Sequence, residues 1–208
     1  MVGRSNVGKS SLINALVRKK LARTSAAPGK TRLANFYRVA VEGNSPFYLV
    51  DLPGYGYARA PRQARGGPTL RQAQGRPEQG RRASSAEGRR RQASDEFDAL
   101  AAAYFGHRAA DPRFRGVFVL VDSRHPGLET DRSAWNWLER LGVTCHIVAT
   151  KIDKLTQAER RRHLAELERL YSGPVTPSSA DTGEGLDQLW KTIATLTTTA
   201  RPSQQDPP

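Results

Sequence analysis

Residues 3–10 carry the pattern with the most direct chemical meaning in this sequence, a glycine-rich loop that ends in lysine and serine. They match G-x-x-x-x-G-K-[ST] and are Gly3, Arg4, Ser5, Asn6, Val7, Gly8, Lys9 and Ser10. Glycines let such a backbone curl until its N–H groups face phosphate oxygens. The Lys9 ammonium would lie at the β- and γ-phosphates of a nucleotide, and the Ser10 hydroxyl would bind Mg²⁺. We therefore expect a phosphate site here, with Lys9 as a candidate catalytic residue.

A second motif follows an apolar run that predicts a strand, and it consists of Asp51, Leu52, Pro53 and Gly54. A carboxylate at the end of a strand can reach Mg²⁺ through water, and the Gly54 N–H can donate to a γ-phosphate. Thr31 offers a second hydroxyl to the same metal. The expected metal ligands are therefore Ser10 and Thr31, and Thr31 and Gly54 join Lys9 as candidate catalytic residues.

Two more motifs follow predicted strands, namely Thr150, Lys151, Ile152 and Asp153, and then Ser178, Ser179 and Ala180. The Asp153 carboxylate can accept hydrogen bonds from both N1–H and the 2-amino group of guanine. Adenine has an acceptor at N1 and no 2-amino group, so this carboxylate would disfavour it. The Lys151 stem can lie along the base, and residues 178–180 can donate a backbone N–H to guanine O6. Together the motifs predict a guanine nucleotide site at the carboxyl ends of parallel strands.

The apolar periodicity around these motifs predicts alternating strands and helices. Predicted strands cover residues 33–41, 47–51, 117–121, 143–149 and 175–178. Predicted helices lie near residues 12–17, 97–104, 135–141, 156–170 and 186–196. The run at 117–121 is continuously apolar, as a strand buried on both faces requires. The expected fold is an α/β three-layer sandwich, with a mostly parallel sheet and helices on both faces.

The strand that should lead into the glycine loop is short in this sequence, because only Met1 and Val2 precede the loop. A central parallel strand normally reads as an apolar run of several residues. We therefore expect the first strand to be largely missing. We also expect that the native chain begins upstream of Met1, or that this sequence is a fragment.

The basic charge of the chain is concentrated in one segment. The formal net charge is +13, and residues 59–94 hold ten arginines against two acids. Residues 62–94 contain only one large apolar side chain, Leu70, so they cannot offset the entropy lost on ordering. We expect one domain at 1–196 that is interrupted by a disordered basic insertion at 62–94 and followed by a flexible tail. The surplus of basic residues favours polyanionic partners, with nucleic acid as the first candidate.

Composition also excludes several classes of protein. No stretch of the 208 residues approaches the ~20 apolar residues that a membrane-spanning helix needs. One cysteine, Cys145, cannot form an intrachain disulfide framework. The first residues lack the apolar segment of a secretory signal. We expect a cytoplasmic protein with no membrane partner.

These motifs together resemble the EngB-type bacterial ribosome-assembly GTPases, which belong to the translation-factor-related class. The matching stretches are residues 3–14, 28–31, 35–36, 51–58, 121–126 with Asp131, 150–154, 179–180 and 182–185. The resemblance implies a P-loop GTPase fold, hydrolysis of GTP to GDP, Mg²⁺ as cofactor and a monomeric protein. It further implies a role in assembling the large ribosomal subunit through its precursor and rRNA, with a link to septum formation in cell division. By position, the nucleotide contacts would be residues 3–10, Gly29, Lys30, Thr31, Arg32, Leu33, and residues 51–54, 150–153 and 178–180.

Two positions bear on the rate of hydrolysis. Many GTPases orient the attacking water with a glutamine directly after the Asp-x-x-Gly glycine, and Tyr55 stands there in this chain. We therefore expect slow hydrolysis unless another group orders the water. Related P-loops with asparagine at the position of Asn6 can hold K⁺ beside the phosphates, where it would neutralise developing charge as an arginine finger does. Asn6 is thus a further candidate catalytic residue, and the alternative is that it only satisfies hydrogen bonds of the loop.

Two other functions compete with a hydrolysing switch. One is a nucleotide-gated RNA-binding module with negligible hydrolysis. The other is a GTPase of another branch, either tethered to RNA by a C-terminal domain or involved in iron transport through membrane spans. Neither appendage fits into the twelve residues after Leu196.

Overall fold

The computed structural model describes residues 1–19, 34–41, 45–55, 101–106 and 108–198. The candidate site residues Gly29 to Leu33, the insertion predicted at 62–94 and all but two residues of the predicted tail lie outside the described residues. The proposed domain boundaries therefore stay predictions.

The described strands and helices alternate along much of the chain. The strands are β1 (Val2–Gly3), β2 (Asn35–Val39), β3 (Phe47–Asp51), β4 (Val117–Asp122), β5 (Cys145–Thr150) and β6 (Val175–Pro177). The helices are α1 (Lys9–Val17), α2 (Glu129–Arg140), α3 (Gln157–Leu170) and α4 (Leu186–Thr198), and residues 101–106 are helical as well. Within these ranges, no helix combines the length and the apolar character needed to cross a membrane.

The central sheet is parallel, with the strand order β1-β4-β5-β6. β2 and β3 form an antiparallel pair, and this pair lies beside β1. The Leu52 N–H donates to the Met1 carbonyl at 3.2 Å, and the Ser5 N–H donates to the Tyr55 carbonyl at 3.1 Å. The segment that continues β3 therefore runs alongside β1 and the glycine loop. The expectation of a mostly parallel sheet is confirmed, and β2 is the antiparallel exception.

Alternating side chains of β4 separate two apolar layers. Val117, Val119 and Val121 point into the layer that contains α2, α3 and residues 101–106, whereas Phe118 and Leu120 point into the layer of α1 and α4. All six residues of β4 are buried, because helices cover the sheet on both faces. The predicted three-layer sandwich is thereby confirmed.

β1 is short, and it covers only part of its neighbour. It has two residues, and these pair with Val119 and Leu120 alone of β4. Next to the uncovered part of that edge, a cleft of about 620 Å³ opens between β3 and β4, lined by Phe47, Leu49, Phe105 and Val117 among others. The first strand thus contributes two residues to the sheet.

Several element boundaries differ from the predicted ones by one or two residues. The strand predicted at 33–41 is β2 at Asn35–Val39, and the strand predicted at 143–149 is β5 at Cys145–Thr150.

The start of α3 was predicted well because local hydrogen bonds define it. The Thr156 Oγ accepts from the Glu159 N–H at 3.3 Å, and the Glu159 carboxylate accepts from the Thr156 N–H at 2.9 Å, so a capping box opens α3.

Gly185 should tolerate alanine much less well than Gly142 does. Both have a left-handed backbone, with φ of +77° and +67°, so alanine costs ~1–2 kcal/mol of strain at either position. A Cβ at Gly185 would also clash with the Pro177 carbonyl oxygen, whereas a Cβ at Gly142 would meet nothing within 4 Å. We expect Gly185→Ala to lower the free energy of unfolding by at least ~2 kcal/mol more than Gly142→Ala does. Denaturant unfolding of both variants measures this difference, and equal losses would contradict it.

Candidate nucleotide-binding site

The glycine loop is held in its curled form by contacts that allow no side chain at its first residue. A Cβ on Gly3 would lie 2.8 Å from the Leu120 carbonyl oxygen. Further along the loop, Asn6 and Gly8 have positive φ values of 63° and 105°, and asparagine and glycine are the residues that adopt this conformation most readily. α1 begins directly after Gly8, so the positive end of its dipole faces the space that the loop encloses.

Thr150 joins the glycine loop to the central sheet. Its hydroxyl lies 2.7 Å from the Val7 carbonyl oxygen and 3.2 Å from the Val121 carbonyl oxygen. A hydroxyl hydrogen donated to either oxygen ties β5 to the loop or to β4. The first residue of the guanine motif therefore also fixes the phosphate motif.

The Lys9 ammonium lies across the loop and is buried. Its Nζ donates to the Gly3 carbonyl at 3.0 Å. Burial lowers the pKa of Lys9, and the nearby Asp51 carboxylate opposes this effect. A cation held in place and partly stripped of water interacts strongly with an arriving phosphate, as the predicted role of Lys9 requires.

Asp51 and Ser10 meet where the metal was predicted. The Ser10 hydroxyl donates to Asp51 Oδ2 at 3.1 Å. The other oxygen of this carboxylate, Oδ1, is buried and has no hydrogen-bond partner among the described residues. Burial raises the pKa of Asp51, against the opposing influence of Lys9. A buried carboxylate oxygen without a partner is costly, and a hydroxyl beside a carboxylate suits Mg²⁺, which prefers oxygen ligands. These residues fit the expected metal, while Thr31 lies outside the described part of the chain.

Gly54 and Tyr55 pack directly against the glycine loop. A Cβ on Gly54 would lie 2.7 Å from the Ser5 nitrogen. The Tyr55 side chain is 4% exposed, and its hydroxyl donates to Asp131 at 2.8 Å. Tyr55 therefore points into the core and does not take the place of the water-orienting glutamine.

Asp153 is held as an acceptor by two neighbours. Ser179 Oγ donates to its Oδ1 at 2.7 Å, and Lys154 Nζ lies 2.8 Å from its Oδ2. Burial raises the pKa of Asp153, but the hydrogen bonds from Lys154 and Ser179 outweigh burial and leave the pKa below its usual value. The group that should recognise guanine is thus ionised at neutral pH.

Lys151 connects the guanine motif to the phosphate motif. Its Nζ donates to the Asn6 carbonyl at 2.6 Å and to Asp122 Oδ2 at 3.0 Å. The backbone of Lys151 is left-handed, with φ of 60°, which turns the chain between β5 and the base-recognition segment. The predicted contact of the Lys151 stem with the base stays a prediction.

Asp122 is a site residue that the motif analysis missed. It ends β4 and binds the Arg124 guanidinium at 2.7 and 2.9 Å in addition to Lys151. Burial raises the pKa of Asp122, but the hydrogen bonds from Arg124 and Lys151 prevail and lower it to about 2. The signal in the sequence was an acid directly after the apolar run at 117–121, the same signal that identified Asp51.

The structure thus brings four predicted segments together at the carboxyl edge of the sheet. Residues 3–10 contact residues 51–54 through Ser10 and Asp51, and they contact residues 150–153 through Val7 and Thr150. Residues 178–180 join the others where Ser179 binds Asp153. The nucleotide-contact and catalytic roles of these residues stay predictions.

Comparison with known proteins agrees with this geometry. A model of the 50S ribosome-binding GTPases matches residues 1–151. A probable GTP-binding protein EngB of Halothermothrix orenii is 36% identical over 200 residues, which cover 93% of this chain and 82% of that protein. Its counterpart in Thermotoga maritima is 38% identical over 199 residues, which cover 94% of this chain and 84% of that protein. The chain belongs to the EngB-type 50S ribosome-binding GTPases.

Solved structures show the fold of this GTPase independently of sequence. The crystal structure of a probable GTP-binding protein EngB matches with a TM-score of 0.61 at 19% identity, over 94% of this chain and 96% of that one. The structure of Era in complex with MgGDPNP and nucleotides of 16S ribosomal RNA matches with a TM-score of 0.66 at 20% identity, over 97% of this chain and 56% of that one. These structures confirm the predicted P-loop GTPase fold, and the family match confirms the predicted hydrolysis of GTP.

Replacing Asp153 by asparagine should move the preference of this GTPase from guanine to xanthine. The amide can no longer accept both guanine hydrogens, but it can donate to O2 of xanthine. We expect GDP to bind about 100-fold more weakly to Asp153→Asn, from the loss of ~3 kcal/mol of charged hydrogen bonding, and xanthosine diphosphate to bind more tightly.

Calorimetric titration with both nucleotides and with ADP measures this change. Asp181→Asn is the matched control, because Asp181 also lies near Lys154, at 3.4 Å, but has a 70% exposed side chain. Equal affinities of the unmodified GTPase for ADP and GDP would exclude Asp153 as the base-recognition group.

Proposed function

We propose that this GTPase is a slowly hydrolysing switch in the assembly of the large ribosomal subunit. It acts as a monomer in the cytoplasm, binds the subunit precursor and its rRNA, and is linked to septum formation in cell division. The match of residues 1–151 to the 50S ribosome-binding GTPases carries this proposal. The net charge of +13 supports it, because the basic segment at 59–94 would add salt-sensitive affinity for RNA of any sequence.

In the proposed reaction, one set of residues binds the base of GTP and another set binds its phosphates. Asp153 selects guanine, and Lys151 holds the loop beside the base through its bond to the Asn6 carbonyl. The backbone of residues 3–10 and the Lys9 ammonium bind the phosphates. The Gly54 N–H, which lies next to Ser5, contacts the γ-phosphate. This last contact can form with GTP and not with GDP.

Mg²⁺ is the cofactor that this site would bind. Ser10 would hold it together with Thr31, and Asp51 would orient its water ligands. When bound, the metal would neutralise charge on the phosphates. The hydrogen bond between Ser10 and Asp51 and the unpartnered Asp51 oxygen support this assignment.

Slow hydrolysis follows from the position of Tyr55. Its hydroxyl is committed to Asp131, so it does not orient the attacking water. The alternative function, a nucleotide-gated RNA-binding module with negligible hydrolysis, is disfavoured because the chain belongs to a family of GTPases. The rate of phosphate release under single-turnover conditions distinguishes the two, because a module of this kind would show no release above the uncatalysed background.

Co-sedimentation with ribosomal particles tests the assembly role. We expect the GTPase to pellet with large-subunit precursors in the presence of Mg²⁺ and a non-hydrolysable GTP analogue, and several-fold less with GDP. Asp153→Asn provides the matched control, since its binding should respond to the xanthosine analogue and not to the guanosine one. Pelleting that is equal with both nucleotides and disappears at moderate salt would indicate charge alone and would contradict a switch.

Potassium should accelerate hydrolysis if Asn6 holds this ion. We expect the rate to fall by at least ~10-fold when Na⁺ replaces K⁺, which is less than the ~10³–10⁵ attributed to an arginine finger. Asn6→Ala should remove the difference between the two ions. Phosphate release at constant ionic strength measures both rates, and a rate that is independent of the cation would leave Asn6 with only its role in the left-handed turn.

A further inference from the structure

Asp131 is a buried carboxylate that connects two segments of the nucleotide site to a helix outside it. It lies on α2 and is 0% exposed. Its Oδ1 accepts from the Tyr55 hydroxyl at 2.8 Å, and its Oδ2 accepts from Arg4 Nε at 3.2 Å. Arg4 belongs to the glycine loop, and Tyr55 directly follows Gly54. We refer to Arg4, Tyr55 and Asp131 as the Asp131 clamp.

The backbone reinforces the clamp. The Ser5 N–H donates to the Tyr55 carbonyl at 3.1 Å, and Arg4 and Tyr55 form a parallel β-bridge. Between them, Gly54 lies so close to Ser5 that a Cβ would come within 2.7 Å of its nitrogen. Gly54 therefore cannot shift without breaking the Ser5 bond or moving Tyr55, whose hydroxyl is fixed by Asp131.

Asp131 has a strong requirement for its partners. A buried ionised carboxylate is tolerated only when hydrogen bonds and opposite charge compensate for the lost water. Tyr55 supplies the shorter of the two bonds, and Arg4 supplies the charge. Loss of either partner would leave the buried charge without compensation, so the three side chains are held together.

We propose that the Asp131 clamp is a positioning device that holds the Gly54 N–H against the γ-phosphate and so strengthens the binding of GTP relative to GDP. Asp131 and Tyr55 touch no part of the nucleotide and act through Gly54. The inference rests on the proposed contact between Gly54 and the γ-phosphate. Because the α- and β-phosphates are bound by residues 3–10, loosening of Gly54 affects the triphosphate selectively.

Tyr55→Phe is the variant that tests the clamp, because it removes the hydroxyl and keeps the ring in the core. Tyr171→Phe is the matched control. Tyr171 is 2% exposed and belongs to the same apolar cluster, but its hydroxyl has no hydrogen-bond partner among the described residues. The two variants thus make the same chemical change in the same layer of the protein.

The readout is the ratio of two affinities, measured by calorimetry with Mg²⁺ for GDP and for a non-hydrolysable GTP analogue. We expect Tyr55→Phe to weaken binding of the analogue about tenfold, in line with the loss of one hydrogen bond to a charged group, and to leave GDP affinity within twofold. Tyr171→Phe should change neither affinity. If Tyr55 had a purely structural role, the substitution would weaken the binding of both nucleotides equally. The ratio of the two affinities therefore distinguishes a loss of Gly54 positioning from a general loss of stability.

Asp131→Asn serves as the second variant if Tyr55→Phe does not fold. It keeps an acceptor for the Tyr55 hydroxyl, but a neutral amide oxygen binds that hydroxyl more weakly than a carboxylate does, so we expect a selective loss of about threefold for the analogue. Equal losses for GDP and the analogue, or no loss in a folded Tyr55→Phe protein, would overturn the clamp. Failure of the unmodified protein to bind either nucleotide would overturn the nucleotide assignment itself, and with it this inference.

Discussion

The register between β4 and β5 is the constraint on which the nucleotide site depends. The two strands pair in parallel along their whole length, and the pairing ends with Asp122 opposite Thr150. Each of these residues then fixes a different part of the site, because Asp122 binds Lys151 and Thr150 bonds to the carbonyl of Val7. A slip of β5 by one residue would turn the Thr150 side chain to the opposite face of the sheet, away from Val7.

Around this frame, three carboxylates of the site are paired with side chains of the protein. Asp122 is bonded to Lys151 and Arg124, Asp153 to Lys154 and Ser179, and Asp131 to Arg4 and Tyr55. Each pair fixes a side chain at an edge where four separate segments converge, so binding requires little reorganisation of the protein. Asp51 is the exception, since one of its buried oxygens has no partner among the described residues. The one incompletely satisfied carboxylate thus lies where Mg²⁺ is proposed to bind.

Much of this arrangement could be predicted from the sequence because its signals are local. The glycine loop, the strand-end motifs and the capping box of α3 each occupy a few adjacent residues, and the apolar run at 117–121 identified a doubly covered strand. The contacts of Asp131 could not be predicted in this way, because they join residues that are 127 and 76 positions apart. The direction of the Tyr55 side chain could not be predicted either. A tyrosine after Gly54 can point to solvent or into the core, and the sequence does not show that its hydroxyl binds Asp131. Periodicity also fails to define strand ends, which is why β2 and β5 differ from their predicted bounds.

A buried tyrosine in the place of the usual glutamine would link the proposed slow hydrolysis to the proposed recognition of the γ-phosphate. A glutamine that orients water must reach into the site, whereas Tyr55 is 4% exposed and bonded to Asp131. The chain therefore lacks the water-orienting group at this position, and the same bond fixes the neighbouring Gly54 against Ser5. A triphosphate that is bound firmly and cleaved slowly gives a long-lived state. Such a state would suit a protein that stays on an assembling particle until a slow step is complete. The Tyr55 side chain would then contribute both to the recognition of GTP and to the lifetime of the GTP-bound state.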